Sequence, residues 1–268
     1  SCRIPAAFCG IVGYKPTARR VPIDGVLPLA PSLDSVGPLA PSVACCSAID
    51  AILAGADPVP PAPLSLEGLR LAVPENLVLD GMDATVSAAF DRALSVLSKA
   101  GARIIRIKCP EFDEMPAVNA KGGFAASEAY AWHRRVLAEK GTLYDPRIRA
   151  RIERGDGMSA ADYLDLVAAR RRIVASFDAR TAPFDCVVMP TVPIVAPTIA
   201  ELDDERAYNR QNLLILRNTA LGNFLDRCSI SIPCHRPGDA PVGLMLTGET
   251  MGDARLFAIA AAAEAALA

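Results

Sequence analysis

A three-layer α/β/α fold built around a mixed, mainly parallel sheet is what the sequence predicts. Three observations lead there. Helical and strand periodicities interleave along the whole chain, so helices and strands must share one core. A strand–helix–strand unit over 69–107 is the sharpest of these signals. The 268 residues are 51% hydrophobic and 22% charged, enough to bury a full core, which excludes disorder as the main state. A single domain over 1–268 is the expectation.

The first forty residues carry many Pro and Gly but are also apolar, which predicts ordered, buried loops with short strands rather than a polar linker. Val43, Cys46, Ile49 and Leu53 then recur at helical spacing, with Ser42 as the N-cap and Gly55 beyond the end. Pro58, Pro60, Pro61 and Pro63 mark a surface connector over 57–65. A strand over 69–73 follows. Next comes a helix with Val86, Ala89, Phe90, Ala93, Leu94 and Leu97 on one face, capped by Asp83 and closed by Gly101, and then a strand over 103–107.

From 111 to 181 the pattern is helical and polar-faced. Ser159 and Asp162 form a capping pair for a helix that buries Tyr163, Leu166, Val167, Val174 and Phe177. This region is expected to lie over the sheet as a helical cover. Further strands are predicted over 186–189, 228–233 and 242–246, with a helix through Leu213, Leu216, Leu221 and Phe224 among them and an alanine-rich helix over about 253–266. No repeat of fixed period is visible.

A formal charge of −2 and a pI near 5.8 give no electrostatic reason for nucleic acid or an acidic membrane as partner, and small, roughly neutral substrates fit better. The eight cysteines are scattered, mostly in apolar runs, without a C-x-x-C pair, and the chain has two histidines. That is the pattern of buried thiols in a reducing compartment, not of a disulfide framework or a metal site. The most apolar stretch, 256–268, is too short to span a bilayer and is broken by Glu264. A cytoplasmic protein is the expectation. No signal or transit peptide is readable at the start. The chain opens on Ser1 rather than Met, which leaves processing, a cloning boundary or a fragment open.

Residues 1–17 read S-C-R-I-P-A-A-F-C-G-I-V-G-Y-K-P-T. Farther on stand G-V-L-P-L-A-P-S-L-D-S-V-G-P-L-A at 25–40, M-P-T-V-P at 189–193 and P-V-G-L-M-L-T-G at 241–248. Together, and in this order, these segments resemble the amidase signature family from its nucleophile onward. No match is found over about 111–181, as expected of a variable cover that sets substrate choice. The resemblance implies a serine hydrolase of carboxamide bonds that works without metal or cofactor. In that family the Ser two places before Arg and four before Pro is the nucleophile, which implies Ser1, with Arg3 and Pro5.

A serine hydroxyl needs a base to attack an amide carbonyl. The resemblance implies a second Ser, in a cis peptide bond, and an unprotonated Lys as that base. Both precede the nucleophile in the family, as does the Gly-rich loop of the oxyanion hole. Nothing precedes Ser1 in this sequence. The expectation is therefore a chain inactive alone, with the N-terminal part of the same domain as its missing partner and a small-molecule amide as substrate. A homodimer stays open.

Arg3 is a candidate to meet a substrate carboxylate, or else to orient the loop. His133 and His235 read as surface or structural residues, because neither stands in a pattern with convergent partners. Lys15, in Gly-Tyr-Lys-Pro, and Lys99, Lys108, Lys121 and Lys140 read as solvated. Asp34 reads as a turn anchor and Cys2 as a packing residue. Three other readings fit parts of the pattern. One is an N-terminal-nucleophile hydrolase using the α-amine of Ser1. Another is the A-type subunit of an amidotransferase, which releases ammonia from glutamine for a mischarged tRNA. The third is an inactive fragment or scaffold.

Overall fold

The structure, a computed structural model, describes residues 2–268. Its strands are β1 (Val12–Lys15), β2 (Leu39–Ala40), β3 (Arg70–Pro74), β4 (Arg103–Ile107), β5 (Cys186–Pro190), β6 (Ser229–Pro233) and β7 (Gly243–Thr247). They join in one sheet of order β2-β1-β6-β7-β5-β3-β4. β3 is parallel to β4 and β5, whereas β1 and β7 are antiparallel to each of their neighbours. Followed across the sheet, β2 to β6 therefore point one way, and β1 and β7 the other. β7 is reversed because only residues 234–242 separate it from β6, too short a link for a parallel crossover.

The helices are α1 (Arg3–Cys9), α2 (Val43–Leu53), α3 (Ala84–Lys99), α4 (Pro110–Val118), α5 (Gly123–Lys140), α6 (Pro146–Glu153), α7 (Ala160–Thr181), α8 (Glu205–Phe224) and α9 (Asp253–Leu267). Strand periodicity sorts them into two layers, since successive side chains point to opposite faces. Tyr14, Leu71, Val73, Val188, Ile230, Ile232, Leu244 and Leu246 pack against α2, α3 and α9. Ala72, Val187, Met189 and Met245 face α4, α5, α7 and α8. α1 lies on this second face too, over β1, β6 and β7. α6 joins α5 in a small cluster around Ala129, Leu137 and Ile152.

Local chemistry sets the helix ends as the sequence indicates. Ser42 Oγ accepts from the Cys45 N–H at 3.2 Å, and Asp83 Oδ1 from the Val86 N–H at 2.7 Å. Ser159 and Asp162 form a reciprocal capping box. Gly101, at φ +98°, takes the left-handed turn that ends the α3 segment. Leu166 and Phe177 are buried in α7 together with Ile173, whereas Tyr163, Val167 and Val174 are half-buried.

Two early expectations need correction. Residues 3–9 form a helix, not a loop: Pro5 stands in its first turn, where a missing N–H costs nothing, and Gly10 closes it at φ +67°. The apolar residues Val26, Leu27 and Leu29 are exposed rather than buried. Asp34 Oδ2 accepts from the Leu29 and Ala30 N–H groups, so the turn is held by its own backbone while Leu33, not Leu27, reaches the core.

Asp83 has a second task, because its Oδ2 accepts from the Val195 N–H at 2.7 Å. Asp83→Ala thus removes an N-cap and a loop anchor at once. A loss of about 2 kcal/mol in unfolding free energy is expected, to be read from urea denaturation, and Asp83→Asn should recover only the N-cap share of it, because its Nδ2 cannot accept from the Val195 N–H.

Candidate active site

The second face of the sheet is polar where α1 and α8 cover it. Cross-strand register aligns Gly13 with Ser231 and Ser231 with Met245, and in the next row Lys15 with Ser229 and Ser229 with Thr247. Arg3, Lys15, Thr191, Asn218, Thr219, Ser229, Ser231 and Thr247 are all buried here. The hydroxyls bond in pairs: Thr191 Oγ1 lies 2.7 Å from Ser231 Oγ, and Ser229 Oγ lies 3.1 Å from Thr247 Oγ1.

α1 can sit so low because two strand positions lack a Cβ. One on Gly13 would lie 2.4 Å from Ala6 Cβ and 2.5 Å from the Cys2 carbonyl oxygen. One on Gly243 would lie 2.8 Å from Ala7 Cβ and 2.4 Å from Ser231 Oγ. The small side chains of α1 and these glycines form one close-packed seam.

This seam fixes the N-terminal turn of α1 from two sides. Arg3 reaches inward, where its Nη2 donates to the Thr219 carbonyl at 2.9 Å and to Asn223 Oδ1 at 2.7 Å, and Nη1 lies 3.3 Å from Met245 Sδ. Cys2 Sγ donates to the Gly37 carbonyl at 3.1 Å. α8 is held in turn by Asn218, whose Nδ2 donates to the carbonyls of Val78 and Pro190.

Lys15, expected in solvent, is buried: its stem lies in β1 on the covered face, and Nζ donates to the carbonyls of Pro16 (2.8 Å) and Arg227 (2.9 Å). Burial, reinforced by the nearby Arg3 charge, pushes its ammonium down to about 8. Burial likewise lowers the Arg3 guanidinium to about 10. Among the described residues, none of the hydrogen bonds of either cation goes to a carboxylate. The layer thus encloses two cations among hydroxyls, with the carboxylates of Asp226 and Asp253 acting on Lys15 without bonding it.

Ser1, the expected nucleophile, lies outside the described residues. Arg3 stands at the turn that follows it and bonds within the protein. Lys99, Lys108, Lys121 and Lys140 are exposed. His133 Nδ1 bonds Tyr144 Oη at 2.7 Å on α5, and His235 sits beside Gly10, at the opposite end of α1 from Arg3. Asp34 anchors its turn. Sequence reasoning missed Asn218, Thr219 and Asn223, which fall within a helix of mixed polarity. It also missed the hydroxyl rows of β6 and β7. The available signal was the alternation of Ser with Ile over 229–232, which puts hydroxyls on one face. Among the described residues no group of three or more His, Cys, Asp or Glu is placed to hold a metal ion, and no helix is long and apolar enough to cross a membrane.

A three-layer α/β/α domain with an arginine-anchored turn on a polar sheet face is the class of protein these features define. The family model "Amidase" matches residues 1–257, and the chain belongs to that family. It is 34% identical over 268 residues to 2-amino-5-chloromuconic acid deaminase of Comamonas testosteroni, a match covering 99% of the chain and 58% of that protein. A crystal structure of an amidase superposes with a TM-score of 0.85 at 27% identity, over 100% of the chain and 61% of its counterpart. The A-type subunit of glutamyl-tRNA(Gln) amidotransferase from Thermotoga maritima does so with 0.73 at 27%, over 98% and 59%. The chain therefore spans about three-fifths of the length of these three relatives.

Lys15 carries a stability signature of definite sign. Its folded pKa, about 8, lies below the ordinary value of about 10.4, so between these limits the unfolded chain binds more protons. Its contribution to stability should consequently rise with pH across that window. Denaturant unfolding at intervals from pH 7.5 to 10.5 should show a more positive slope for the unaltered chain than for Lys15→Met. Equal slopes would mean that the amine is hydrated after all.

Proposed function

We propose that this chain carries the nucleophile of an amidase, that Ser1 is that nucleophile, and that the substrate is a small carboxamide. The observation that carries the reading is the double anchorage of the turn after Ser1, through Arg3 to α8 and through Cys2 to Gly37. A nucleophile is useful only when its approach is set in advance, and the residues on its C-terminal side are held by buried and half-buried hydrogen bonds.

In this reading Ser1 Oγ gives its proton to a base and bonds to the carbonyl carbon. The C–N bond then breaks, and the amine or ammonia leaves with the proton. Water next cleaves the Ser1 ester to release the acid. Backbone amides, assigned to the polypeptide that precedes the nucleophile in the family, stabilise the oxyanion. Arg3 is assigned to positioning the turn, since its terminal nitrogens are already engaged by Thr219, Asn223 and Met245. The helices of 111–181 are assigned to substrate choice.

The base is not assigned to Lys15, because its Nζ already serves two carbonyls within the sheet layer. We place the base, a Lys with a second Ser, in polypeptide beyond these 268 residues. Support comes from the greater length of the relatives and from the uncovered stripe of Leu39, Ile49, Ile52 and Leu53 on β2 and α2. The similarity to the amidotransferase protein keeps a glutaminase reading in view. It is separated by substrate: glutamine rather than a simple amide.

Two preparations test the proposal, the 268-residue chain and the same chain extended through its upstream reading frame. Hydrolysis of a simple aryl amide is expected from the extended protein alone, and Ser1→Ala should lower its kcat by about 10⁴-fold or more. Steady turnover by the 268 residues alone, or full activity of the Ser1→Ala protein, would sink the assignment.

A further inference from the structure

Ser32, inside the 25–40 segment, has each of its polar groups held by the helices of 111–181. Its N–H donates to Glu128 Oε2 on α5 at 2.9 Å. Its Oγ lies 3.4 Å from Tyr163 Oη on α7, and that tyrosine hydroxyl donates to Glu128 Oε1 at 2.7 Å. Its carbonyl accepts from Arg170 Nη1 on α7 at 3.0 Å. Surface loops are rarely gripped this completely, because their backbone groups usually bond to water.

Arg170 does more than close this grip. Its Nε donates to the Phe224 carbonyl at 2.8 Å, and Nη2 lies 3.3 Å from the Asn223 carbonyl. These are carbonyls of the last turn of α8, where acceptors are only partly served by the backbone, Asn223 accepting from the Asp226 N–H at 3.2 Å, and where a cation is favoured. The guanidinium also stacks over the Phe124 ring, its carbon 5.4 Å from the centroid. One side chain thereby ties α7, the end of α8 and the 25–40 loop together. A planar fork can serve acceptors in several directions at once, which an ammonium on a flexible stem does poorly.

Both tied segments lead to the same turn. Asn223, whose carbonyl Arg170 holds, presents Oδ1 to Arg3. The loop gripped at Ser32 runs on to Gly37, whose carbonyl takes the Cys2 thiol. We propose that Arg170 is a positioning residue: it couples the 111–181 helices to the Cys2–Arg3 turn, so that seating a substrate against those helices also sets the nucleophile. This assignment rests on Ser1 as nucleophile.

The test uses the extended protein and a fluorophosphonate probe that labels activated serines. Labelling of the unaltered protein at Ser1, located by peptide mass, secures the underlying reading. Its absence would overturn both. Given that labelling, Arg170→Met should slow it by about 10- to 100-fold, the scale of an ångström-sized misplacement. kcat on an aryl amide should fall in parallel while KM stays within about threefold. Arg170→Lys should recover part of the rate. Combining Arg170→Met with Asn223→Ala should cost less than the product of the two single effects, because both act on one turn. Unchanged labelling in a folded Arg170→Met protein would overturn the proposal. Should that variant fail to fold, Tyr163→Phe and Glu128→Gln loosen the same grip more gently. Labelling slowed by about two- to fivefold in both is expected, and the unaltered rate in both would overturn it.

Discussion

The structure depends on burying two cations, Arg3 and Lys15, on one face of the sheet without a carboxylate among the described residues bonded to either. Isolated buried charge is costly, and only polar partners in fixed positions offset it. Those partners are mostly backbone carbonyls, from Thr219, Pro16 and Arg227. Carbonyls cannot be relocated by a rotamer change, so the need to serve these two cations fixes where α8, α1 and the 225–228 turn must lie. The glycines at 13 and 243 follow from the same demand, since only an empty Cβ position lets α1 descend far enough for Arg3 to reach α8.

The two faces of the sheet divide the work. Against α2, α3 and α9 the strands present Val, Ile, Leu and Tyr14, an apolar layer that supplies most of the hydrophobic stabilisation. Against α1 and α8 they present Ser229, Ser231, Thr247 and Lys15, which are satisfied by hydrogen bonds and add little burial energy. A sheet whose second face is polar gains less from packing but holds its buried hydroxyls and cations in fixed hydrogen-bonded positions. Apolar burial is concentrated on one side and buried polar groups on the other, within strands of five residues or fewer.

Much of the fold is legible in the residues because its signals are local. Asp83, Ser42 and the Ser159–Asp162 pair name their helices through caps satisfied within three residues. The face of α3 follows from periodicity, as do the strands over 228–233 and 242–246. The helix at 3–9 was hidden because Pro5 and Gly10 read as loop punctuation when counted, although each occupies a position a helix tolerates. Leu27 and Leu29 read as core by composition, yet they lie outward because Asp34 turns the backbone that carries them. For the site, the motif around Ser1, Arg3 and Pro5 was readable, and its supports were not: Asn223, Thr219 and Arg170 lie far from Arg3 along the chain, and no local rule links them.

By itself the sequence determined the layer architecture, most of the elements that carry it and the family to which the chain belongs, because periodicity, capping and motif spacing all act over a few residues. Only the tertiary structure decided that Lys15 is buried and that Arg3 is held by α8. It also showed that one guanidinium on α7 joins three segments distant in sequence. Those outcomes depend on which side chains are enclosed together and which carbonyls are left without helical partners, and enclosure is a property of the packed chain as a whole.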